Sequence, residues 1–239
     1  MSDTRLAEEL GSITLFRNLP PTALARLAEG ARRVAPPDGA PLFAQGDASD
    51  AVYAVLEGRG RVRVGAPDTA AKRLMVEIFR TGDIFGEIGV LDGAARSADA
   101  LVMGDVKLAR ITAAAFLETA ETEPALGLAL ARMLSARLRR TFGLLQDATF
   151  APLEVRLARQ VIYLLKTDSV KTERGVRLAA RFRQGDLADL LGATTRSIIS
   201  ILNAWRGSNL VAYDTEKAFL FVLDEAGLVA VAAGPRDGT

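Results

Sequence analysis

The sequence predicts an α+β protein with three successive parts: strands rolled into a sandwich or barrel, one long helix, and a helix-turn-helix with a β-hairpin wing. Three patterns support this fold class. Between positions 36 and 112, short apolar runs separated by glycine, proline and aspartate recur roughly every ten residues, as in sandwiches and barrels. An almost uninterrupted helical pattern fills positions 121–150. Two more helical segments and a hairpin pattern occupy positions 186–223.

The N-terminal segment predicts a short helical lead-in to the strands. Between Leu15 and Val34, leucines recur near a helical spacing, and Pro20 and Pro21 suit the first turn of a helix. The first residues, MSDTRLAEEL, are polar and contain no apolar signal core. Charged residues interrupt every longer apolar run before the roughly eighteen residues that a membrane-spanning helix needs. We therefore expect a cytoplasmic protein with no membrane partner.

The composition excludes several kinds of site. The chain has 239 residues, 49% of them apolar, which is enough for one large or two smaller domains with real cores. It contains neither cysteine nor histidine. Disulfides, thiolate iron–sulfur clusters and Cys/His zinc sites are therefore impossible, and the commonest haem ligand and general base are absent. We expect neither an enzyme nor a metal or cofactor site.

Positions 121–150 predict one long helix with a coiled-coil seam. Residues 127, 131, 134, 138, 141, 145 and 148 are Gly, Ala, Leu, Leu, Thr, Leu and Ala, which alternate steps of four and three. Leu126, Leu130 and Met133 widen this apolar stripe, so that it can serve both its own barrel and a second copy of the chain. We predict a homodimer. The alternative is a helix that docks only on its own barrel.

One polar residue, Thr141, interrupts the seam. Polar residues at such positions commonly fix the register of a coiled coil at some cost in stability. Alternatively, Thr141 faces a polar ligand that lies between barrel and helix. A break near residues 149–152 predicts a domain boundary, and after the next helical segment the pattern predicts a polar loop around Asp168 to Gly175.

The C-terminal segment predicts a helix-turn-helix. DLADLLG forms a short helix, Gly192 supplies the turn, and Thr194 is the N-cap of a second helix that runs from Thr195 to about Arg206. Apolar residues of the second helix recur at i, i+3, i+4 and i+7 and form its buried face: Ile198, Ile201, Leu202 and Trp205. The residues that point away are Thr195, Arg196, Ile199, Ser200 and Asn203.

The outward face of this helix carries side chains that can read DNA. Arginine and asparagine pair bidentately with guanine and adenine edges, and each good pair gives roughly 1–3 kcal/mol of discrimination. VAYDTEKAFLFVL follows as two strands around a tight turn, a wing whose Lys217 can meet a phosphate. From Lys171 to Arg206 there are seven basic and three acidic residues, an excess that suits either phosphates or a solvated face. A helical hairpin in a protein-interaction module is the alternative.

The stretch FGEIGVLDGAARSA, at positions 85–98, predicts a site for a phosphorylated sugar. Its glycines allow close approach of the backbone, and the start of a short helix directs free N–H groups at an anion. Arg96 can bind a phosphate in two places, and Ser97 adds a hydroxyl and its own amide. The carboxylate of Glu87 only accepts hydrogen bonds, so its natural partner is a sugar hydroxyl. The alternative is a partly exposed Glu–Arg pair that brackets a turn and contributes about 0–1 kcal/mol.

This stretch resembles the phosphate-binding cassette of the cyclic-nucleotide-binding fold. With the long helix and the winged helix-turn-helix, the chain resembles the cyclic-AMP receptor protein and fumarate–nitrate regulator family of bacterial transcription factors. The likeness covers nearly the whole chain, including LFRNLPPTALARLA, LFAQGDASDAVYAVLEG and GDLADLLGATTRSIISIL. It implies a β-roll (double-stranded β-helix) with N-terminal helices at 1–120, a dimerisation helix and hinge at 121–150, and a winged helix-turn-helix DNA-binding domain at 151–239.

The resemblance also implies partners and residue roles. An allosterically controlled homodimer would bind a double-stranded DNA operator, a cyclic nucleotide and RNA polymerase. Glu87 would bind the ribose hydroxyl, Arg96 and Ser97 the cyclic phosphate, while Gly86 and Ile88 contribute backbone groups.

The positions expected to contact the base depart from the family pattern. Members that respond to cyclic AMP carry two adjacent hydroxyl residues on the long helix, one of which reaches across from the second subunit. Here these positions hold Thr141 and Phe142, and the phenylalanine offers stacking instead of a hydroxyl. We predict cyclic AMP as the ligand, with cyclic GMP, a cyclic dinucleotide or no ligand as alternatives. A cyclic-nucleotide-binding regulatory module without DNA binding is the alternative from another class.

The reading helix departs from the family pattern too. Thr195, Arg196 and Ser200 stand where the best-known members carry an arginine, a glutamate and a second arginine. The usual operator sequence is therefore not assumed. The predicted DNA contacts are Thr194, Thr195, Arg196, Ser200, Asn203 and Lys217.

Overall fold

The computed structural model describes residues 4–57, 61–67 and 73–234. These residues form two compact units. The first contains the described residues up to Arg139, except residues 67 and 73–75 at the tip of one hairpin. The second contains that tip and the described residues from Arg140 onward. Within the described ranges, every helix is too short or too polar to span a bilayer.

The first unit contains the rolled β-domain. Its elements are α1 (Thr4–Gly11), α2 (Pro21–Glu29), β1 (Ala31–Val34), β2 (Pro41–Phe43), β3 (Ala51–Glu57), β4 (Arg61–Pro67), β5 (Arg73–Phe79), β6 (Ile84–Phe85), α3 (Ile88–Asp92), β7 (Asp99–Met103), β8 (Lys107–Thr112), α4 (Ala113–Thr122) and the first half of α5 (Pro124–Phe150). The strands form two four-stranded sheets in the orders β1-β8-β3-β6 and β2-β7-β4-β5. Neighbours in sequence such as β2 and β3 lie in different sheets, as the rolled arrangement requires.

The central strand β3, AVYAVLE, is buried on both faces. Successive side chains of a strand point to opposite faces. Val52 and Ala54 therefore pack against a cluster that includes residues of α1, α2 and α4, whereas Tyr53 and Val55 face residues from both sheets. This double burial explains why the segment is an almost continuous apolar run and lacks a polar alternation.

The long helix α5 divides its apolar residues between two surroundings. Leu126 and Leu130 are buried in the first unit, and Met133 packs against the same cluster. Beyond them the predicted seam is uncovered, since Leu138 and Leu145 are 54% and 63% exposed. Leu126, Leu130 and Met133 thus pack against the β-domain, whereas Leu138 and Leu145 of the seam are available for a further contact.

The residue pattern did not predict helix α1, because it identified the first ten residues only as a polar segment; N-terminal helices within 1–120 were implied by the family resemblance alone. Leu6 and Leu10 are 1% and 0% exposed and belong to the core of the first unit. They stand four residues apart and therefore share one face of the helix. Two leucines in a largely polar decapeptide are a weak signal, because the helix gains its stability from packing on α2 rather than from its own sequence. Helix α2 begins at Pro21 with Pro20 as its N-cap, as predicted.

The second unit contains the rest of α5 and the C-terminal domain. Its elements are α6 (Leu153–Thr167), β9 (Ser169–Thr172), β10 (Gly175–Leu178), α7 (Gln184–Asp189), α8 (Thr195–Gly207), β11 (Val211–Asp214), β12 (Phe219–Val222) and α9 (Glu225–Ala233). The predicted break near residues 149–152 coincides with the end of α5 and the start of α6.

The prediction of a polar loop from Asp168 to Gly175 is wrong. Strands β9 and β10 form a hairpin there, and the four strands of this unit pair in the order β11-β12-β10-β9. All four residues of β9 are exposed because it is an edge strand, so it lacks the alternation of apolar and polar residues that identifies a half-buried strand. Its pairing with β10 places it in the sheet.

Candidate functional site

The loop between β6 and β7 is shaped by close packing of its backbone. Gly86 has φ +77°, and a Cβ there would lie 2.8 Å from Nη1 of Arg96. Gly89, in the first turn of α3, approaches so closely that a Cβ would lie 2.1 Å from Oγ of Ser49. The glycines at these two positions therefore let the loop fold tightly over the end of the β-roll.

The carboxylate of Glu87 is buried and held by the long helix. The residue is 1% exposed, and its Oε1 accepts a hydrogen bond from Nη1 of Arg137 on α5. Nη2 of Arg137 donates to the carbonyl oxygen of Ile84 at 2.6 Å, and its guanidinium lies 4.9 Å from the ring centre of Phe79. Oε2 of Glu87 is buried and has no hydrogen-bond partner among the described residues. One oxygen of this carboxylate is thus satisfied and the other is not.

Sequence reasoning missed Arg137. The available signal was the position of Arg137, one turn after Met133 on the face of α5 that packs against the β-domain. A positive charge on a packed face needs an acceptor or a negative charge beside it. Glu87 is that partner.

The guanidinium of Arg96 is also buried, because the residue is only 4% exposed. Nη1 donates to the carbonyl oxygen of Gly86 at 2.7 Å, and Nη2 donates to that of Ala51 at 2.8 Å. Its other face lies 4.2 Å from the ring centre of Phe43. Burial lowers the pKa of Arg96, while the neighbouring Tyr53 and Asp50 oppose that shift. Main-chain acceptors therefore hold the arginine in place, and Nε is buried without a partner among the described residues.

Five of the predicted ligand-binding residues line one cavity: Gly86, Glu87, Ile88, Arg96 and Ser97. Glu87 and Arg96 are therefore buried and do not form a partly exposed pair that brackets a turn, and the two side chains do not bond to each other. The cavity measures about 50 Å³. Pockets for small molecules usually measure roughly 300–1,000 Å³, so this conformation is too narrow for a nucleotide. Phe43, Phe79, Phe85 and Arg137 form its remaining walls together with Gly89 and Ala98.

The two residues predicted to contact the base lie on the half of α5 that belongs to the second unit. Thr141 and Phe142 are both exposed, the latter by 61%. Their distance to a ligand in the cassette is not fixed by either unit alone, and their roles stay predictions.

The helix-turn-helix has the predicted form. Gly192 turns the chain with φ +59°, and Oγ1 of Thr194 accepts a hydrogen bond from the backbone N–H of Ser197 at 3.2 Å, which caps α8. Trp205 is buried on α8, and its Nε1 donates to Oε1 of Glu154 on α6 at 2.7 Å. Ile198 and Leu202 are buried and Ile201 is half-buried. The predicted contacts on the other face are exposed: Thr194, Thr195, Arg196, Ser200 and Asn203.

The wing is the turn between β11 and β12. Oδ1 of Asp214 accepts hydrogen bonds from the backbone N–H groups of Glu216 and Lys217 at 3.1 and 2.9 Å, which fixes the turn. Lys217 is exposed at its tip. On the same sheet, the guanidinium of Arg177 lies 3.8 Å from the ring centre of Phe219. Arginines of this region thus stack on aromatic rings of the sheet.

Two family models match the chain in the same order as these two sites. The cyclic nucleotide-binding domain matches residues 33–123, and the Crp-like helix-turn-helix domain matches residues 155–231. The chain belongs to the CRP/FNR family of bacterial transcription regulators. As a family member, it is a cyclic-nucleotide-binding transcription regulator with a DNA-binding helix-turn-helix, and it is not an enzyme.

Similar CRP/FNR proteins differ in what their names say they bind. The chain is 26% identical over 218 residues to a CRP-like cAMP-activated global transcriptional regulator of Mycobacterium tuberculosis, covering 88% of this chain and 96% of that one. It is 27% identical to a cyclic AMP receptor protein of Thermus thermophilus, covering 80% and 84%. The fold resembles that of the c-di-GMP responsive regulator CLP of Xanthomonas campestris, with a TM-score of 0.73, 20% identity and coverage of 86% and 100%.

Proposed function

We propose that this CRP/FNR family member is a homodimeric, sequence-specific DNA-binding regulator controlled by a 3′,5′-cyclic nucleotide, with cyclic AMP as the first candidate. One observation carries the proposal: a buried carboxylate and a buried guanidinium, at Glu87 and Arg96, line the same cavity and bind different partners. A ribose joined to a phosphate offers a donor to the first and an acceptor to the second. The names of the relatives in Mycobacterium tuberculosis and Thermus thermophilus favour cyclic AMP.

Each cassette residue has a definite task in this proposal. Oε2 of Glu87 accepts from a ribose hydroxyl, and Nε of Arg96 donates to the phosphate, since both atoms are buried without partners among the described residues. Ser97 adds its hydroxyl, and Gly86 and Ile88 contribute backbone groups. Thr141 and Phe142 meet the base, one of them from the partner copy of α5.

Ligand entry has to widen the cavity. Of its walls, Arg137 is the one on the long helix, and its hydrogen bond to Glu87 competes with the ribose. A ligand that binds the widened form about 10⁴-fold more tightly than the narrow form moves a dimer from 1:99 to 99:1 in its favour. Part of this difference in affinity comes from Glu87, which exchanges its hydrogen bond with Arg137 for one with the ribose. A buried carboxylate is costly to leave unpaired, so the widened form is favoured only when the ribose replaces Arg137.

Dimerisation is proposed through the seam of α5. Leu138, Phe142 and Leu145 are between 54% and 63% exposed on one side of the helix. Large apolar residues grouped on a helix side in this way mark an interaction surface more often than a solvated one. We keep the domain limits 1–120, 121–150 and 151–239 as part of this proposal. Contact with RNA polymerase and a cytoplasmic location follow from regulation of transcription in a bacterial cell.

Titration of the purified protein with cyclic AMP, cyclic GMP and cyclic di-GMP by isothermal calorimetry tests the proposed ligand. We expect cyclic AMP to bind most tightly, at one site per chain. Tighter binding of cyclic GMP or cyclic di-GMP would change the identity of the proposed ligand but not the proposed mode of regulation. Absence of heat with all three, in protein that still shifts operator DNA, would identify a ligand-independent regulator and contradict the proposal.

Two substitutions separate base reading from phosphate binding in the DNA complex. Arg196→Ala is expected to cost about 1–3 kcal/mol and to relax base preference at one operator position, with little change in the salt dependence. Lys217→Ala is expected to weaken binding to all sequences similarly and to lower the slope of log K against log salt by about one. Electrophoretic shifts with an operator selected from genomic DNA, at several salt concentrations, measure both effects.

Each variant is the control for the other. Identical effects of the two changes on specificity would contradict the assignment of α8 as the reading helix. If the unmodified protein selects no DNA with or without nucleotide, the chain is a nucleotide-binding module of another kind.

A further inference from the structure

The first unit contains a second cleft outside the cassette. It is open to solvent, measures about 470 Å³ and is walled by β1, β2, β3 and β8. Its volume lies within the roughly 300–1,000 Å³ of small-molecule pockets, unlike that of the cassette cavity. Three arginines line it: Arg32, Arg96 and Arg110. Apolar residues line it too, among them Val34, Pro36, Pro41 and Phe43.

Strand pairing places two of these arginines side by side. Arg32 on β1 is the direct partner of Arg110 on β8, and Arg110 is in turn the partner of Tyr53 on β3. Side chains of paired residues lie on the same face of a sheet, so the three form one row across it. Like charges directly opposite each other destabilise a sheet. The chain therefore keeps a costly arrangement at this cleft, which is typical of a functional site.

A carboxylate of the protein already occupies the point where two of the arginines meet. Asp50 places Oδ2 2.5 Å from Nη2 of Arg110 and Oδ1 3.4 Å from Nη2 of Arg96. Its side chain is 62% exposed, so water competes for it and an anion from solution can replace it. Among the described residues, Arg32 has no ion pair and completes the basic wall.

We propose that this cleft binds a small organic phosphate. The phosphate replaces the Asp50 carboxylate as the partner of Arg110 and also binds Arg32. It competes with Asp50 because it carries two negative charges and can bind both guanidinium groups, whereas the carboxylate carries one charge. The organic part lies against Pro36, Pro41 and the edge of Phe43. Concavity and volume favour a small molecule over a protein surface as the occupant.

This site is distinct from the cassette but is joined to it. Arg96 and Phe43 line both cavities. Withdrawal of Asp50 from Arg96 changes the charge around the guanidinium that faces the cassette. Occupancy of the cleft therefore changes the affinity of the cassette for its own ligand, and the coupling is reciprocal. Binding in the cleft itself does not depend on the function proposed for the cassette.

Phenyl phosphate and inorganic phosphate are suitable probes of the full-length protein, with binding followed by calorimetry and by NMR chemical shifts. We expect saturable binding of phenyl phosphate that is tighter than that of inorganic phosphate, because only the former reaches the apolar residues. The double variant R32Q/R110Q should weaken it at least tenfold. Asp50→Asn should strengthen it several-fold, because the competing carboxylate is removed.

Arg33→Gln is the matched control, since Arg33 is the next residue on β1, outside the cleft lining, and its Nε bonds to Glu9 at 2.8 Å. It should bind phenyl phosphate like the unmodified protein. Removal of Arg32 relieves a repulsion, so the single variant Arg32→Gln should melt at or above the unmodified protein. It should still bind phenyl phosphate more weakly, and unfolding is then excluded as the cause. Equal binding in R32Q/R110Q, or equal affinity for both probes, would overturn the proposal.

Discussion

Arg96→Ala is expected to lower the affinity for cyclic AMP by about a thousandfold. The guanidinium offers Nε and the second hydrogen of Nη1 to the phosphate, since only the first hydrogen of Nη1 is used by Gly86. Each such charge-assisted hydrogen bond is worth about 1.5–3 kcal/mol, and a loss of about 4 kcal/mol corresponds to this factor. Calorimetric titration measures it directly. The alanine should also destabilise the fold, because the carbonyl groups of Gly86 and Ala51 lose their donor at a cost of about 1–3 kcal/mol each.

Two further variants separate ligand affinity from stability. Arg96→Lys keeps the charge but loses the fork that reaches two carbonyl oxygens, so it should weaken binding less than alanine does. Arg80→Ala removes an exposed arginine of the same unit and should change neither affinity nor melting temperature. If Arg96→Ala binds cyclic AMP with unchanged affinity while it remains folded, the cassette assignment is wrong.

Leu138→Glu combined with Leu145→Glu is expected to convert the proposed dimer into a monomer. Both residues lie on the seam and are more than half exposed in the single chain. Two charges placed opposite their own copies in a dry seam lose hydration and repel each other. Sedimentation equilibrium should give half the mass of the unmodified protein. Operator binding should fall at least about a hundredfold, because linked half-sites gain this much from being bound together.

Ala136→Glu provides the control for this pair. Ala136 lies two residues before Leu138, roughly on the opposite side of the helix, and it is exposed. This variant should remain dimeric and bind the operator normally. A double variant that stays dimeric would mean that another surface holds the two copies together, and a monomeric unmodified protein would reject the homodimer outright.

The parts that sequence reasoning recovered are those whose conformation local chemistry dictates. The helix-turn-helix follows from Gly192 and the cap at Thr194, and the wing follows from Asp214, which folds the turn around itself. The glycines of the cassette similarly mark the positions where backbone comes closest. In each case the residue that identifies the element in the sequence also fixes the conformation of that element.

The parts that it missed depend on distant neighbours. Arg137 stands 50 residues from Glu87, and no periodicity in either segment connects them. Arg96 appears in the sequence as a free phosphate-binding fork, but the fold brings the carbonyl group of Ala51 to it from 45 residues away. The width of the cavity is likewise set by Phe43 and Phe79, which belong to other strands.

Arg137 and Leu138 are consecutive residues of one helix, the first bound to Glu87 and the second at the centre of the seam. A helix is stiff over such a short distance, so the backbone of one residue cannot shift without carrying the other. In the proposed regulator, ligand detection and subunit association are therefore mechanically coupled through these two residues. A signal does not have to travel between them, because both are read at the same turn of α5.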